Sequence, residues 1–283
     1  MDTVDLPHGT VSYRATGPED ATAPPVVFVH GFLVDGSLWS GVADRLAEQD
    51  IRSYAPNWPL GSHRVPVPSA DQSPRGVARQ ILAFLEALDL TDVTLIGNDT
   101  GGALCQYAVD TDPSRIGRLV LTNCDSFDTF PPFPFNVIFK LLNGPRRLRF
   151  NLLPMRLRPF RHSALGFGLL ARKFDPAQTR GWVEPALTDA AIRSDAVRFL
   201  RAVDPSELNE ISTRLAAFQG PVRLIWGMRD RSFTPTLGRR LAQAFSDAEF
   251  IEIPEARTFV PLDAPQALAD RIAEISNATS SPS

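Results

Sequence analysis

The feature that most constrains this chain is a short apolar run that ends in a cluster of small residues. Val93-Thr94-Leu95-Ile96 leads directly into Gly97-Asn98-Asp99-Thr100-Gly101-Gly102, and helical patterning follows to about Asp110. A buried strand that feeds a helix through so short a link must turn sharply. The residue at the apex has to tolerate a strained backbone, and its neighbours have to be small so that strand and helix can cross closely. Gly97, Gly101 and Gly102 meet the second demand, and aspartate tolerates left-handed geometry better than most residues. Aspartate is also a preferred helix cap, so the five-residue pattern alone leaves a structural and a chemical role open for Asp99. The Thr100 N–H at the helix start can donate to an oxyanion, and the helix dipole favours negative charge there.

The rest of the chain supplies a setting for this turn. Val26 to Val29, Ile51 to Pro56, Arg118 to Thr122, Pro221 to Trp226 and Ala248 to Ile253 read as further strands. Helical patterns lie between them at Leu38 to Gln49, from Ser73-Pro74 onward, at about Thr236 to Phe245, and after Asp263 and Pro265. Such alternation implies an α/β fold, a mostly parallel sheet flanked by helices. Between Ser126 and about Phe218 the alternation stops and the patterns are helical, one of them opening on Asp204-Pro205. We expect residues 1–125 and 219–283 to form the two parts of an α/β core, and 126–218 an inserted helical cap. Ligands in such sheets sit at the carboxyl ends of the strands, which the cap would cover.

Composition excludes several classes. The net charge is −3 over 283 residues, which argues against nucleic acid as a partner. No stretch approaches the roughly 18 apolar residues of a spanning helix, and the opening Met1-Asp2-Thr3-Val4-Asp5 is no signal peptide. Cys105 and Cys124 are too few for a disulfide framework and read as buried thiols. The expectation is a cytoplasmic protein with a small-molecule substrate, no cofactor, no metal and no membrane partner.

Two further motifs carry a resemblance. His30-Gly31-Phe32 follows the first apolar strand, so the Phe32 N–H can be a second oxyanion donor beside Thr100. Trp226-Gly227-Met228-Arg229-Asp230 follows a late strand, where the acid of a catalytic triad belongs. With these in order the chain resembles the α/β-hydrolase superfamily over nearly its whole length. Within it, the chain resembles the branch of haloalkane dehalogenases and epoxide hydrolases, which use an aspartate nucleophile. The resemblance implies Asp99 as nucleophile and Asp230 as triad acid. A serine needs a base to attack, whereas an aspartate is already ionised near neutral pH. It can form an ester, which water must then cleave with help from a base, a histidine after the last strand in this family.

That histidine is missing. Aligned on Phe259-Val260-Pro261, the segment places Thr258 at its position, and no histidine follows His162. Of the four histidines, His8 is N-terminal, His30 belongs to the oxyanion motif, His162 falls in the cap, and His63 lies on the loop after the second strand. His63, Thr258 and His162 are therefore the candidates for a substitute base or a pocket contact, with an exposed loop residue the plainer reading of His63. A general base is worth ~10²- to 10⁴-fold, so without one the ester would persist. Thr100 stands where dehalogenases place a halide-binding Trp, and none of Tyr13, Tyr54 and Tyr107 lies in the cap, where epoxide hydrolases use tyrosines. Trp39, Trp58 and Trp182 remain as donors, with packing the plainer role.

From Thr129 to Phe174 there is no acidic residue, against Lys140, Arg146, Arg147, Arg149, Arg156, Arg158, Arg161, Arg172 and Lys173. A solvated face is the plain reading; steering of an anionic substrate or attachment to an anionic membrane are the functional ones. Phe130, Phe133 and Phe135 read either as an apolar entrance or as core. The sequence supports a hydrolase acting through Asp99 on a small, largely apolar and anionic molecule. The alternatives are a non-hydrolytic lyase, isomerase or cyclase using Asp99 as acid and base, and a ligand-binding protein without catalysis.

Overall fold

The strands that read as unbroken apolar runs lie at the centre of one eight-stranded sheet. The computed structural model describes residues 1–132 and 144–277; Phe133, Phe135 and Lys140 lie outside them. The strands are β1 (Asp2–Leu6), β2 (Gly9–Thr16), β3 (Val26–Val29), β4 (Ser53–Pro56), β5 (Val93–Asp99), β6 (Ile116–Cys124), β7 (Val222–Gly227) and β8 (Ala248–Ile253). Their order is β1-β2-β4-β3-β5-β6-β7-β8. β1 and β2 are antiparallel to each other and β2 to β4; every other pairing is parallel. All four residues of β3 are buried, as are six of the seven in β5, which is why these strands lack polar alternation.

The helices are α1 (Ser40–Ala47), α2 (Pro74–Ala87), α3 (Thr100–Thr111), α4 (Pro145–Leu152), α5 (Arg158–Arg161), α6 (Pro176–Thr188), α7 (Ala190–Ala202), α8 (Pro205–Ser212), α9 (Pro235–Ala242), α10 (Val260–Asp263) and α11 (Pro265–Asn277). Their starts follow local chemistry. Ser73 accepts from Gly76 N–H ahead of Pro74 in α2, and Asp204 accepts from Ser206 N–H ahead of Pro205 in α8. α4 to α8 lie in the chain between β6 and β7.

Two local readings change. The β1–β2 hairpin at the sheet edge, with Val4 opposite Val11, carries too much polar sequence to stand out as strand. The last helical stretch is divided into α10 and α11 at Ala264, because Pro265 cannot continue the preceding turn.

Parallel pairing brings several carboxyl ends to one edge of the sheet. His30-Gly31-Phe32 leaves β3, Asp99 ends β5, Asn123 and Asp125 stand at the end of β6, and Asp230 follows β7. Thr258 lies on the loop that follows β8.

Candidate active site

Asp99 sits at φ 56° and ψ −132°, a conformation that L-residues rarely adopt. The surroundings hold it there by leaving no room for side chains. A Cβ on Gly101 would stand 2.1 Å from the Val29 carbonyl oxygen, and one on Gly31 would stand 2.1 Å from Asp99 Oδ2. The second contact puts the carboxylate against the backbone that leads into Phe32. From Val93 to Val109 every residue is buried except Asp99. The apex is half-buried, and the turn behind it is packed solid.

The charge environment is acidic. Burial pushes the Asp99 carboxyl up, the Asp230 charge adds to this, and a hydrogen bond from Thr100 N–H opposes them, for a value of about 7. Asp125 is fully buried, and neither of its carboxyl oxygens has a hydrogen-bond partner among the described residues. Burial, with the Asp99 charge close by, holds its carboxyl well above the usual range, opposed by the Thr100 hydroxyl.

Asp230 is the most tightly held member. Oδ1 accepts from Ser232 N–H (2.7 Å) and Phe233 N–H (3.1 Å). Oδ2 accepts from Asn123 Nδ2 (2.9 Å) and from the Thr258 hydroxyl (2.7 Å). Burial still leaves its carboxyl above the ordinary value. Asn123 also accepts from Gly227 N–H at 2.6 Å, and Asn98 donates to the Thr258 carbonyl at 2.7 Å. The fully buried Thr258 is thus fixed from both sides, with its hydroxyl proton directed at the acid.

The structure does not bring the two candidate histidines into these contacts. His63 is 3% exposed, although its loop position suggested an exposed side chain. Its Nδ1 accepts from Gly61 N–H (3.3 Å), so Nε2 carries the proton and donates to Asp195 Oδ2 (3.2 Å) on α7. His162 meets Thr179 Oγ1 at 2.9 Å and packs against Phe174. His30 accepts from Trp58 N–H through Nε2 and donates from Nδ1 to the Gly31 carbonyl. Burial lowers it to about 4, so it is neutral.

Trp58, Trp182 and Tyr107 are committed too, whereas the buried Trp39 Nε1 has no hydrogen-bond partner among the described residues. Trp58 donates to the Phe28 carbonyl (3.1 Å), Trp182 to Ser37 Oγ (2.9 Å), and Tyr107 to Glu207 (3.2 Å). Trp39 is fully buried and stacked on Phe28, and Phe130 is 2% exposed, a core residue. The Phe32 ring stacks on Phe199 of α7, which joins the loop after β3 to the helices between β6 and β7. Asn98, Asn123, Asp125 and Asp195 were not singled out in the sequence. Each acts across 19 or more positions of chain or through burial, and neither leaves a local pattern.

A cleft of about 540 Å³ reaches Asp230 and Ser232, walled by Arg229, Arg231 and Arg257 with Leu169 and Met228.

A strained apical residue after one strand and a buried acid after the next strand but one are the arrangement found in α/β-hydrolases. The chain belongs to the alpha/beta hydrolase fold family, whose sequence profile matches residues 24–265. It is similar to haloalkane dehalogenase 2 of Mycobacterium bovis, at 28% identity over 273 residues, covering 90% of this chain and 89% of that one. It is also 31% identical over 179 residues to 2-hydroxy-6-oxononadienedioate/2-hydroxy-6-oxononatrienedioate hydrolase of Paraburkholderia xenovorans, covering 61% of this chain and 57% of that one. The crystal structure of haloalkane dehalogenase DbeA from Bradyrhizobium elkani superposes with a TM-score of 0.78 at 19% identity, over 98% of this chain and 99% of that one. The relatives are hydrolases, and among them the chain stands beside the dehalogenases. No helix among the described residues is long and apolar enough to cross a membrane.

Proposed function

We propose that this protein is a hydrolase that attacks with Asp99 and activates water through Thr258 and Asp230. The observation that carries the reading is the 2.7 Å hydrogen bond from the Thr258 hydroxyl to Asp230 Oδ2 at the position of the family's histidine. In the first step an Asp99 oxygen forms a bond to an electrophilic carbon, and the leaving group departs with its electron pair. In the second, water adds to the Asp99 carboxyl carbon. Its proton passes to Thr258 Oγ1 as the Thr258 proton passes to Asp230. The oxyanion lies between the Phe32 and Thr100 N–H groups. Collapse breaks the bond from the carboxyl carbon to the Asp99 oxygen that now bears the substrate carbon, and the product leaves with that oxygen as an alcohol after taking up a proton. Burial above the usual carboxylate range suits Asp230 to receive a proton.

The arginine-walled cleft at Asp230 favours a small, largely apolar substrate that carries an anionic group. A single turnover in ¹⁸O-labelled water with short haloalkanoates and epoxy acids tests the mechanism. Label is expected in the peptide containing Asp99, preceded by a covalent adduct in the intact mass. Product formed with no label in that peptide would overturn it.

A second reading rests on one specific observation. A carboxyl held at about 7 beside two other carboxyls can give and take protons at neutral pH. Asp99 would then serve an elimination or isomerisation, with no oxygen from water in protein or product.

A further inference from the structure

The cap carries a surface that the chemistry above does not use. Among the described residues six large apolar side chains are exposed, and four of them fall in one segment: Phe150 (74%), Leu153 (38%), Leu157 (66%) and Leu165 (72%). The remaining two are Met1 and Val65, far apart in the chain. The segment runs through α4, the 3-10 turn Leu153–Arg156 and α5, which pack on one another. α4 explains the arrangement. Leu148 and Leu152 point inward one turn apart, which rotates Phe150 to the outside. Arg146, Arg147, Arg149, Arg156 and Arg158 are exposed along the same stretch. None of the five makes an ion pair among the described residues; the nearest pairing along the chain is Arg172 with Glu255 at 3.7 Å.

We propose that this α4–α5 face docks the protein onto an anionic lipid bilayer. Two requirements are met at once. Exposed aromatic and leucine side chains leave water by entering the headgroup region, and unpaired guanidinium groups gain counter-charges at its surface. A second copy of the chain does not fit, because it would set this cationic face against itself. Nucleic acid would satisfy the arginines and leave Leu157 and Leu165 in water. Large exposed apolar side chains gathered in one short segment of chain point to an interaction site. From sequence no membrane partner is expected, with attachment to an anionic membrane kept as one reading of this basic stretch; the exposed apolar side chains beside the arginines favour that reading. This inference does not depend on the reaction assigned to Asp99.

The test is co-sedimentation of the full chain with phosphatidylcholine vesicles, with and without roughly one third phosphatidylglycerol. Binding is expected only to the anionic vesicles and should fall steeply with salt. Removing one cation, as in Arg149→Gln, should weaken binding about fivefold. Phe150→Asp and Leu157→Asp should each weaken it by about tenfold or more, with unchanged thermal melting because both side chains are already in water. Arg239→Gln, on α9, should have no effect on vesicle binding. Failure to sediment with anionic vesicles would overturn the proposal. So would equal binding to the neutral ones, or vesicle binding that Phe150→Asp leaves intact while soluble heparin competes it away.

Discussion

In the proposed mechanism the turn after β5 and the loop after β8 serve the two halves of one reaction, and they are built differently. At the first stand the strained apex at Asp99 and the close-packed glycines, with the Thr100 N–H hydrogen-bonded to the carboxylate. At the second, a hydroxyl replaces an imidazole. Thr258 keeps the hydrogen bond to Asp230 and loses the basic nitrogen. The difference teaches that forming an ester and cleaving it are separable demands on the fold. The first needs geometry and a carboxylate, the second a proton acceptor of matched strength.

The comparison breaks most severely at Asp99. Asp99→Asn should abolish the covalent adduct and lower turnover by ~10³-fold or more, read by intact mass and steady-state rate. The same variant should melt higher than the parent. Asp99 has a folded value of about 7, above its unfolded one, so the folded state binds the proton more tightly. The stability linked to this proton is present at low pH and is lost as pH rises through about 4 to 7. The gain in melting temperature should therefore be larger at pH 8 than at pH 5.

Restoring the missing base is the next largest effect. Thr258→His should speed adduct breakdown by ~10²-fold or more, measured by the decay of the adduct mass after substrate removal. Thr258→Val should slow that decay about tenfold, and neither change should alter adduct formation by more than about threefold. An unchanged decay in both variants would remove Thr258 from the second half of the reaction.

The pH profile sharpens the contrast. Attack needs ionised Asp99, so the rate of adduct formation should rise with pH to a plateau with a midpoint near 7. Stopped-flow measurement of leaving-group release checks it. The smallest effect on chemistry is expected at His63. His63→Ala leaves Asp195 without one of its donors and should cost about 1–3 kcal/mol in urea unfolding, with the single-turnover rate unchanged within about twofold.

The contrast between the two loops was visible in the sequence because both are local patterns. Gly97 to Gly102 states its own geometry, and the segment ending in Phe259-Val260-Pro261 aligns without a structure. The capping residues Ser73 and Asp204 were legible for the same reason. What holds the site together was not. Asn98 reaches Thr258 across 160 positions, and Asn123 reaches Asp230 across 107. His63 looked like a loop residue because nothing near it in the chain announces Asp195, 132 positions away. The order of the strands in the sheet creates the first two pairs, and the packing of α7 on the loop after β4 creates the third. The β1–β2 hairpin escaped notice because an edge strand needs little apolar sequence to pair.

The buried contact between His63 and Asp195 is one stitch in a longer seam. Arg198 donates to the Ala70 and Val67 carbonyls, Ser62 to the Trp182 carbonyl, and Gln178 and Trp182 both to Ser37. α6 and α7 are thereby fastened to the loops after β3 and β4. A lid that swung open along this seam would have to break all of these bonds together, which makes such opening rare on the timescale of a turnover. Molecules that exchange quickly with the interior must therefore pass by smaller movements than the parting of this seam.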